Sequence, residues 1–176
     1  RSKDGNDYTD PSVIKMIHLN ARKKISIHKY LNSLNVVPVS ISYEKDPNDV
    51  RKANELYLTD LNQEYIKEPK EDLISIAEGI RGQKGNVHLH VGRVINFEND
   101  SYEQCSEEIT LAIKSEFKNH ATNYAAAIIQ GKNTNIGSFS NHDINGAVNY
   151  LTKKTNEMPE EMQSYFLSQY SRSLEL

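Results

Sequence analysis

His88-Leu-His90 places two imidazoles two residues apart, and in an extended segment such residues share one face. That is half of a metal site, since zinc takes about four ligands and accepts neutral ring nitrogens. No cysteine, further histidine or acid stands at a recognisable ligand spacing. The pair therefore reads as two polar residues on the solvated face of an edge strand. Cys105 lies among Glu103, Glu107 and Glu108, whose charges oppose thiolate formation and make it a poor nucleophile. Gly79, Gly82 and Gly85 lack the Lys-Ser/Thr ending of a phosphate loop and the spacing of a dinucleotide fingerprint, so they read as a helix stop and a turn. Asp46 and Asp49 read as carboxylates that start a helix, one at the N-cap and one in the first turn, rather than as an acid–base pair.

The composition limits the classes of function. A length of 176 residues is enough for one domain or part of one. The single cysteine excludes a disulfide framework within the chain and a Cys-based zinc cluster. No apolar run approaches the roughly 20 residues that span a bilayer as a helix. Lys and Arg number 21 against 24 Asp and Glu, a net charge of −3 that gives no general case for nucleic-acid binding. The charge is unevenly spread, however. Residues 11–43 contain no acid but carry Lys15, Arg22, Lys23, Lys24 and Lys29, whereas residues 98–116 are rich in acids. The basic stretch reads as a solvated helix face or as a surface that meets phosphates or an anionic membrane.

The elements that must carry these residues can be placed by pattern. Asp10 is a good N-cap and Pro11 suits the first helical position, with Ile14, Ile17, Ala21 and Ile25 as an apolar stripe. A break near residues 23–26 and a second helix over 28–33 follow. Residues 36–43 are β-branched and mostly apolar, which predicts a buried strand of a parallel sheet, with Pro38 at its start, at a bulge or at an edge. A helix is expected over 46–60, and another over 69–80 with Leu73, Ile76, Ala77 and Ile80 inward. Residues 86–92 alternate as a strand with Val87, Leu89 and Val91 on one face. A long helix over 101–130, with Tyr124 and the run Ala125–Ile129 as core, a polar connection, and helices over 143–155 and 159–171 complete an α/β pattern.

Three motifs in order carry a resemblance. Arg1-Ser2-Lys3-Asp4-Gly5 is followed by Val37-Pro38-Val39-Ser40-Ile41-Ser42-Tyr43-Glu44. Together they resemble the glycerol-3-phosphate and 1-acylglycerol-3-phosphate acyltransferase family, whose third block reads Glu-Gly-x-Arg-Ser-Arg/Lys and whose fourth is a Val-Pro-Val-x-Ile strand. In the glycerol-3-phosphate branch that strand runs on into Tyr-Glu. Lys84-Gly85-Asn86-Val87, with Gly92 and Ile95 beyond it, looks similar to a later Lys-Gly-x-Val-x-x-x-x-Gly-x-x-Ile element of the family. Thr122-Asn123-Tyr124-Ala125-Ala126 resembles a helix found after it. The resemblance covers residues 1–130.

It implies an α/β domain with a mostly parallel sheet flanked by helices. Residues 1–132 would be the C-terminal portion of the acyltransferase-like domain and residues 133–176 a helical tail. It implies acyl transfer from acyl-CoA or acyl carrier protein to glycerol 3-phosphate or lysophosphatidate. The enzyme would be one of phospholipid synthesis, cytoplasmic and peripheral to an anionic membrane, with no metal or tightly bound cofactor. In the family a His-x4-Asp pair does the acid–base work. None of His18, His28, His88, His90, His120 and His142 has Asp five positions on. That block is expected before Arg1, and the chain by itself is expected to be inactive. Arg1 would hold the acceptor's phosphate, its planar fork of donors suiting that group. Ser2 and Lys3 would add donors, and Val37, Pro38 and Val39 would wall the site. Two other readings stay open. One is a non-catalytic module that binds a phosphate ester on the same fold. The other is an interaction protein of helical hairpins.

Overall fold

The computed structural model describes residues 8–62 and 65–175, so Arg1, Ser2 and Lys3 lie outside the described residues. In chain order the elements are α1 (Pro11–His18), α2 (Ile27–Leu34), β1 (Val39–Tyr43), α3 (Asp49–Asn62), α4 (Glu71–Arg81), β2 (Val87–Val91), α5 (Tyr102–Lys114), α6 (Ala121–Ile129), α7 (Asn141–Asn156) and α8 (Glu160–Ser171), with a short 3-10 turn at Arg172–Leu174. The described residues are mostly helical, with one two-stranded sheet. They divide into two compact units, one of residues 43–87 and 119–175, the other of residues 8–42 and 88–118. None of the three borders between these segments falls at residue 132. The helices expected as a tail, α7 and α8, share a core with α3 and α6.

The first unit is a helical assembly built on small residues. Ala125 and Ala126 of α6 are fully buried, and their size lets α7 and α8 approach closely. Leu151, Phe166 and Tyr170 fill the space around them, with Ala53 contributed by α3. Asp49 does occupy the first turn of α3, but its carboxylate turns inward and is only 1% exposed. Lys154 of α7 places its Nζ 2.6 Å from both carboxylate oxygens. The Tyr170 hydroxyl of α8 donates to Oδ2 at 2.7 Å, and itself accepts from the Asp46 N–H at 3.1 Å. Gln169 Nε2 donates to the Asp49 carbonyl at 3.1 Å. Burial opposes the charge on Lys154, but the Asp49 carboxylate outweighs it and holds the amine above its ordinary value. Burial, with the charge of Asp49, pushes the Tyr170 hydroxyl well above its usual range.

Two helix expectations change in this unit. Leu73, Ile76 and Ile80 of α4 do not point inward but are 67%, 59% and 75% exposed. Polar ties set the helix rotation instead. Arg51 of α3 grips the Glu78 carboxylate through Nη2 at 2.9 Å, and Asn48 Nδ2 donates to the Ser75 carbonyl at 3.1 Å. These ties turn the Ser75–Glu78 face toward α3. The single helix expected over 101–130 is two helices, because α6 has its own start. The Asn123 side chain accepts from the His120 N–H at 2.6 Å and donates to the Tyr170 carbonyl at 2.8 Å. The expected core role of Ala125–Ala127 holds, whereas Ile128 is 39% exposed.

In the second unit α1, α2 and α5 enclose Ile14, Leu31, Phe97 and Cys105. Asn32 and Phe97 exchange two hydrogen bonds, Asn32 Nδ2 to the carbonyl at 2.9 Å and the Phe97 N–H to Oδ1 at 2.8 Å. Asp100 Oδ1 accepts from the Ile27 N–H at 2.9 Å and so caps α2 from a distant part of the chain. The apolar stripe expected to run to Ile25 is cut at His18, and Ile17 faces outward. His18 is buried, with Nε2 donating to the Ile25 carbonyl and Nδ1 hydrogen-bonded to the Tyr102 hydroxyl, both at 2.9 Å.

The sheet corrects two further expectations. Its strands are antiparallel, not parallel: the Gly92 N–H donates to the Pro38 carbonyl and the Ile95 N–H to that of Val36, each at 2.9 Å, so rising numbers on one strand meet falling numbers on the other. The strand faces are also inverted. Leu89 and Val91 are 60% and 62% exposed, whereas Ser40 and Ser42 are buried and His88 and His90 are partly covered. The residues after α5 cover that polar face. Ser42 Oγ donates to the Lys118 carbonyl at 2.7 Å, and His88 Nε2 donates to that of Glu116 at 3.0 Å.

The buried ion pair yields a stability prediction. Lys154→Met leaves the Asp49 charge without its cation, and its expected cost is about 3–5 kcal/mol in urea unfolding. In the background of Asp49→Asn the same change is expected to cost far less, because no buried charge remains. Equal costs in the two backgrounds would show that Lys154 stabilises through packing alone.

Candidate functional site

The first unit contains a cavity of about 420 Å³. Its wall is built from the end of the strand motif (Glu44 and Lys45), the Asn86 turn, the start of α6 (His120 and Thr122) and Tyr150 of α7. Glu44 organises it. One oxygen of its carboxylate accepts from the Asn86 N–H at 2.8 Å and from Asn86 Nδ2 at 3.0 Å. Its own N–H donates to the Asn86 carbonyl at 2.9 Å. The Thr122 hydroxyl donates to its carbonyl at 2.5 Å. Residues of three segments far apart in the chain thus meet at Glu44.

Two glycines of the later motif have a steric reason. Gly85 has φ +63°, a left-handed conformation that disfavours side chains, and a Cβ there would collide with the Glu44 carboxylate. In the second unit a Cβ at Gly92 would lie 2.8 Å from Pro38 Cγ. Each motif glycine therefore closes on a residue of the Val-Pro-Val strand motif.

Lys45 and Tyr150 give the cavity its cationic side. Lys45 Nζ stands 4.7 Å from the centre of the Tyr150 ring, and Lys154 Nζ lies 5.5 Å from the same centre. Burial pushes the Tyr150 hydroxyl above its ordinary value, although Lys154 opposes the shift. A second, more apolar hollow of about 580 Å³ is lined by Pro47, Ile74, Ala77, Arg81 and Lys154, and Tyr150 walls this one too. Lys45 faces a lining that also holds the Glu44 and Asp143 carboxylates, an amide and an imidazole, and these groups around 420 Å³ suit a small polar ligand.

Arg1, Ser2 and Lys3 are outside the described residues. Val37 and Val39 belong to the second unit and are 41% and 46% exposed, while Pro38 is buried; none of the three lines the cavity. Asp46 does act at a helix start, with Oδ1 accepting from the Asn48 N–H at 2.9 Å. His90 Nδ1 sits 3.6 Å from a Glu116 carboxylate oxygen, and among the described residues no three His, Cys, Asp or Glu side chains are grouped to hold a metal ion. Cys105 is fully buried, and burial, helped by Glu108 and Asp100, pushes its thiol up to about 11. His142 and Asp143 adjoin the cavity but do not form a working pair. The His142 side chain is wholly exposed with Nδ1 4.0 Å from Asp143, and the Asp143 carboxylate is engaged by Ser140 at the start of α7. Lys45, His120 and Tyr150 were not singled out by sequence. The one available signal was the spacing of four between Tyr150 and Lys154, which puts both on one helix face.

Comparison with family models, curated proteins and solved structures finds no match for this chain.

The fit of Gly85 against Glu44 can be tested by a mutant cycle. Gly85→Ala is expected to cost about 2–3 kcal/mol, from left-handed strain plus the collision. In a Glu44→Ala background only the strain of about 1–2 kcal/mol should remain. An identical cost in both backgrounds, measured by chemical denaturation, would show that Glu44 does not occupy that space.

Proposed function

We propose that this chain is part of an acyltransferase that moves an acyl chain from acyl-CoA or acyl carrier protein to the hydroxyl of glycerol 3-phosphate or lysophosphatidate. The observation that supports this reading is the mutual fit of its motifs. The Val-Pro-Val…Tyr-Glu segment, the Lys-Gly-x-Val segment and the Thr-Asn-Tyr helix lie far apart in the chain, and Glu44 of the first binds the other two. In the folded chain Gly85 lies against Glu44 and Gly92 against Pro38.

In this reading the catalytic His and Asp precede Arg1. The His takes the proton of the acceptor hydroxyl, the oxygen attacks the thioester carbonyl, the C–S bond breaks, and the departing thiolate receives a proton. Arg1, Ser2 and Lys3 bind the acceptor's phosphate. The cavity beside Glu44 offers Lys45 as a further cation for the same phosphorylated head, with Asn86 and His120 adding polar contacts. Val37, Pro38 and Val39 serve as a backbone support, with Gly92 seated against Pro38. The protein works at the cytoplasmic surface of an anionic membrane. Among the described residues no helix is long and apolar enough to cross one.

The test is thiol release from acyl-CoA by the protein extended upstream of Arg1. Release that depends on glycerol 3-phosphate or lysophosphatidate is expected, and Arg1→Ala should raise the KM for the acceptor. The chain of 176 residues alone should release none. Binding of glycerol 3-phosphate without thioester cleavage by the extended protein would contradict the enzyme reading and favour a phosphate-ester-binding module.

A further inference from the structure

The acid-free stretch of the second unit combines charge with an unusual apolar ridge. α1 buries Ile14 and His18 and turns Val13, Met16 and Ile17 outward, at spacings of three and four that align them on one face. They are 42%, 66% and 45% exposed, and Leu19 just after the helix is 55% exposed. The chain then forms a tightly bonded turn. The Arg22 N–H donates to the His18 carbonyl at 2.9 Å, the Ile25 N–H donates to the Ala21 carbonyl at 3.1 Å, and the His18 ring is tied to the Ile25 carbonyl. Arg22, Lys23 and Lys24 are exposed on this turn and make no ion pair among the described residues, whereas Lys15 is paired with Glu103.

One cation near the end of α1 is explained by the helix dipole, which falls off within a turn. Three in a row, beside four exposed apolar side chains and with no acid between residues 11 and 43, are not. A soluble polyanion would engage the cations and leave Met16 and Leu19 in water. An anionic bilayer surface accepts both, apolar side chains at the headgroup–acyl boundary and cations at the lipid phosphates. We propose that α1 and its following turn dock the protein on anionic lipid, with Val13, Met16, Ile17 and Leu19 entering the interface and Arg22, Lys23 and Lys24 meeting the phosphates. The proposal rests on the reading of the protein as a peripheral enzyme of lipid synthesis and names the surface that would serve it.

The test is sedimentation of the chain with phosphatidylcholine vesicles, with and without phosphatidylglycerol. Binding is expected only with the anionic lipid. Changing Arg22, Lys23 and Lys24 together to Gln should lower the partition coefficient about a hundredfold. Met16→Ser with Leu19→Ser, at full surface charge, should lower it about tenfold. Partition unchanged by either set overturns the proposal. So does partition lowered by the charge set alone while heparin binds the chain equally well, which would mark a polyanion site. Binding of glycerol 3-phosphate in vesicle-free buffer separates this idea from the functional reading. Acceptor binding without vesicle binding removes the docking surface alone, and vesicle binding without acceptor binding removes the acyltransferase reading alone.

Discussion

A carboxylate that is 1% exposed must be compensated where it lies, and Asp49 sets that requirement for the larger unit. Its charge is met by Lys154, its Oδ2 by the Tyr170 hydroxyl and its carbonyl by Gln169, so one buried residue ties α3 to α7 and α8. The consequences reach the cavity. Fixing Lys154 fixes Tyr150 one turn earlier on α7, and that ring forms part of the wall. Fixing Tyr170 fixes the Asp46 N–H, and with it the few residues that join α3 to Glu44 and Lys45. A buried ion pair of this kind adds little net stability over a hydrophobic replacement. Here it links three helices at one point.

Glu44 makes the complementary selection at the other side of the cavity. It has to satisfy its carboxylate, and the Gly85–Asn86 turn presents an N–H and an amide in the right place. Gly85, at φ +63° and with no Cβ to meet the Glu44 carboxylate, lets that turn come close without strain. The Thr122 hydroxyl on the Glu44 carbonyl adds the start of α6. The site is thus assembled from segments far apart in the chain by contacts that each need a particular residue type.

The elements were largely legible from the sequence. Asp10 before Pro11 marks α1, with Asp10 accepting from the Ser12 N–H at 2.7 Å, and the alanine run marks the core of α6. Periodicity did not reveal which face each element buries. The Leu73, Ile76 and Ile80 stripe of α4 loses to two polar ties at Glu78 and Ser75, and the apolar face of β2 stays outward while Ser42 and His88 on the other face each bond a carbonyl. Asp49 is the clearest limit. An acid after Asp-Pro reads as a dipole partner, and nothing local announces a lysine more than a hundred positions later. The same holds for the site. Glu44 was legible as part of a motif, but Lys45, His120 and Tyr150 join it only through tertiary contacts.

The most direct measurement is a two-dimensional amide NMR titration of the chain with glycerol 3-phosphate. Saturable shifts concentrated at Lys45, Asn86, His120 and Thr122, and absent with glycerol, are the expected result. No shifts at those amides, or shifts of equal size with glycerol and with inorganic sulfate, would contradict a cavity built for the phosphorylated acceptor.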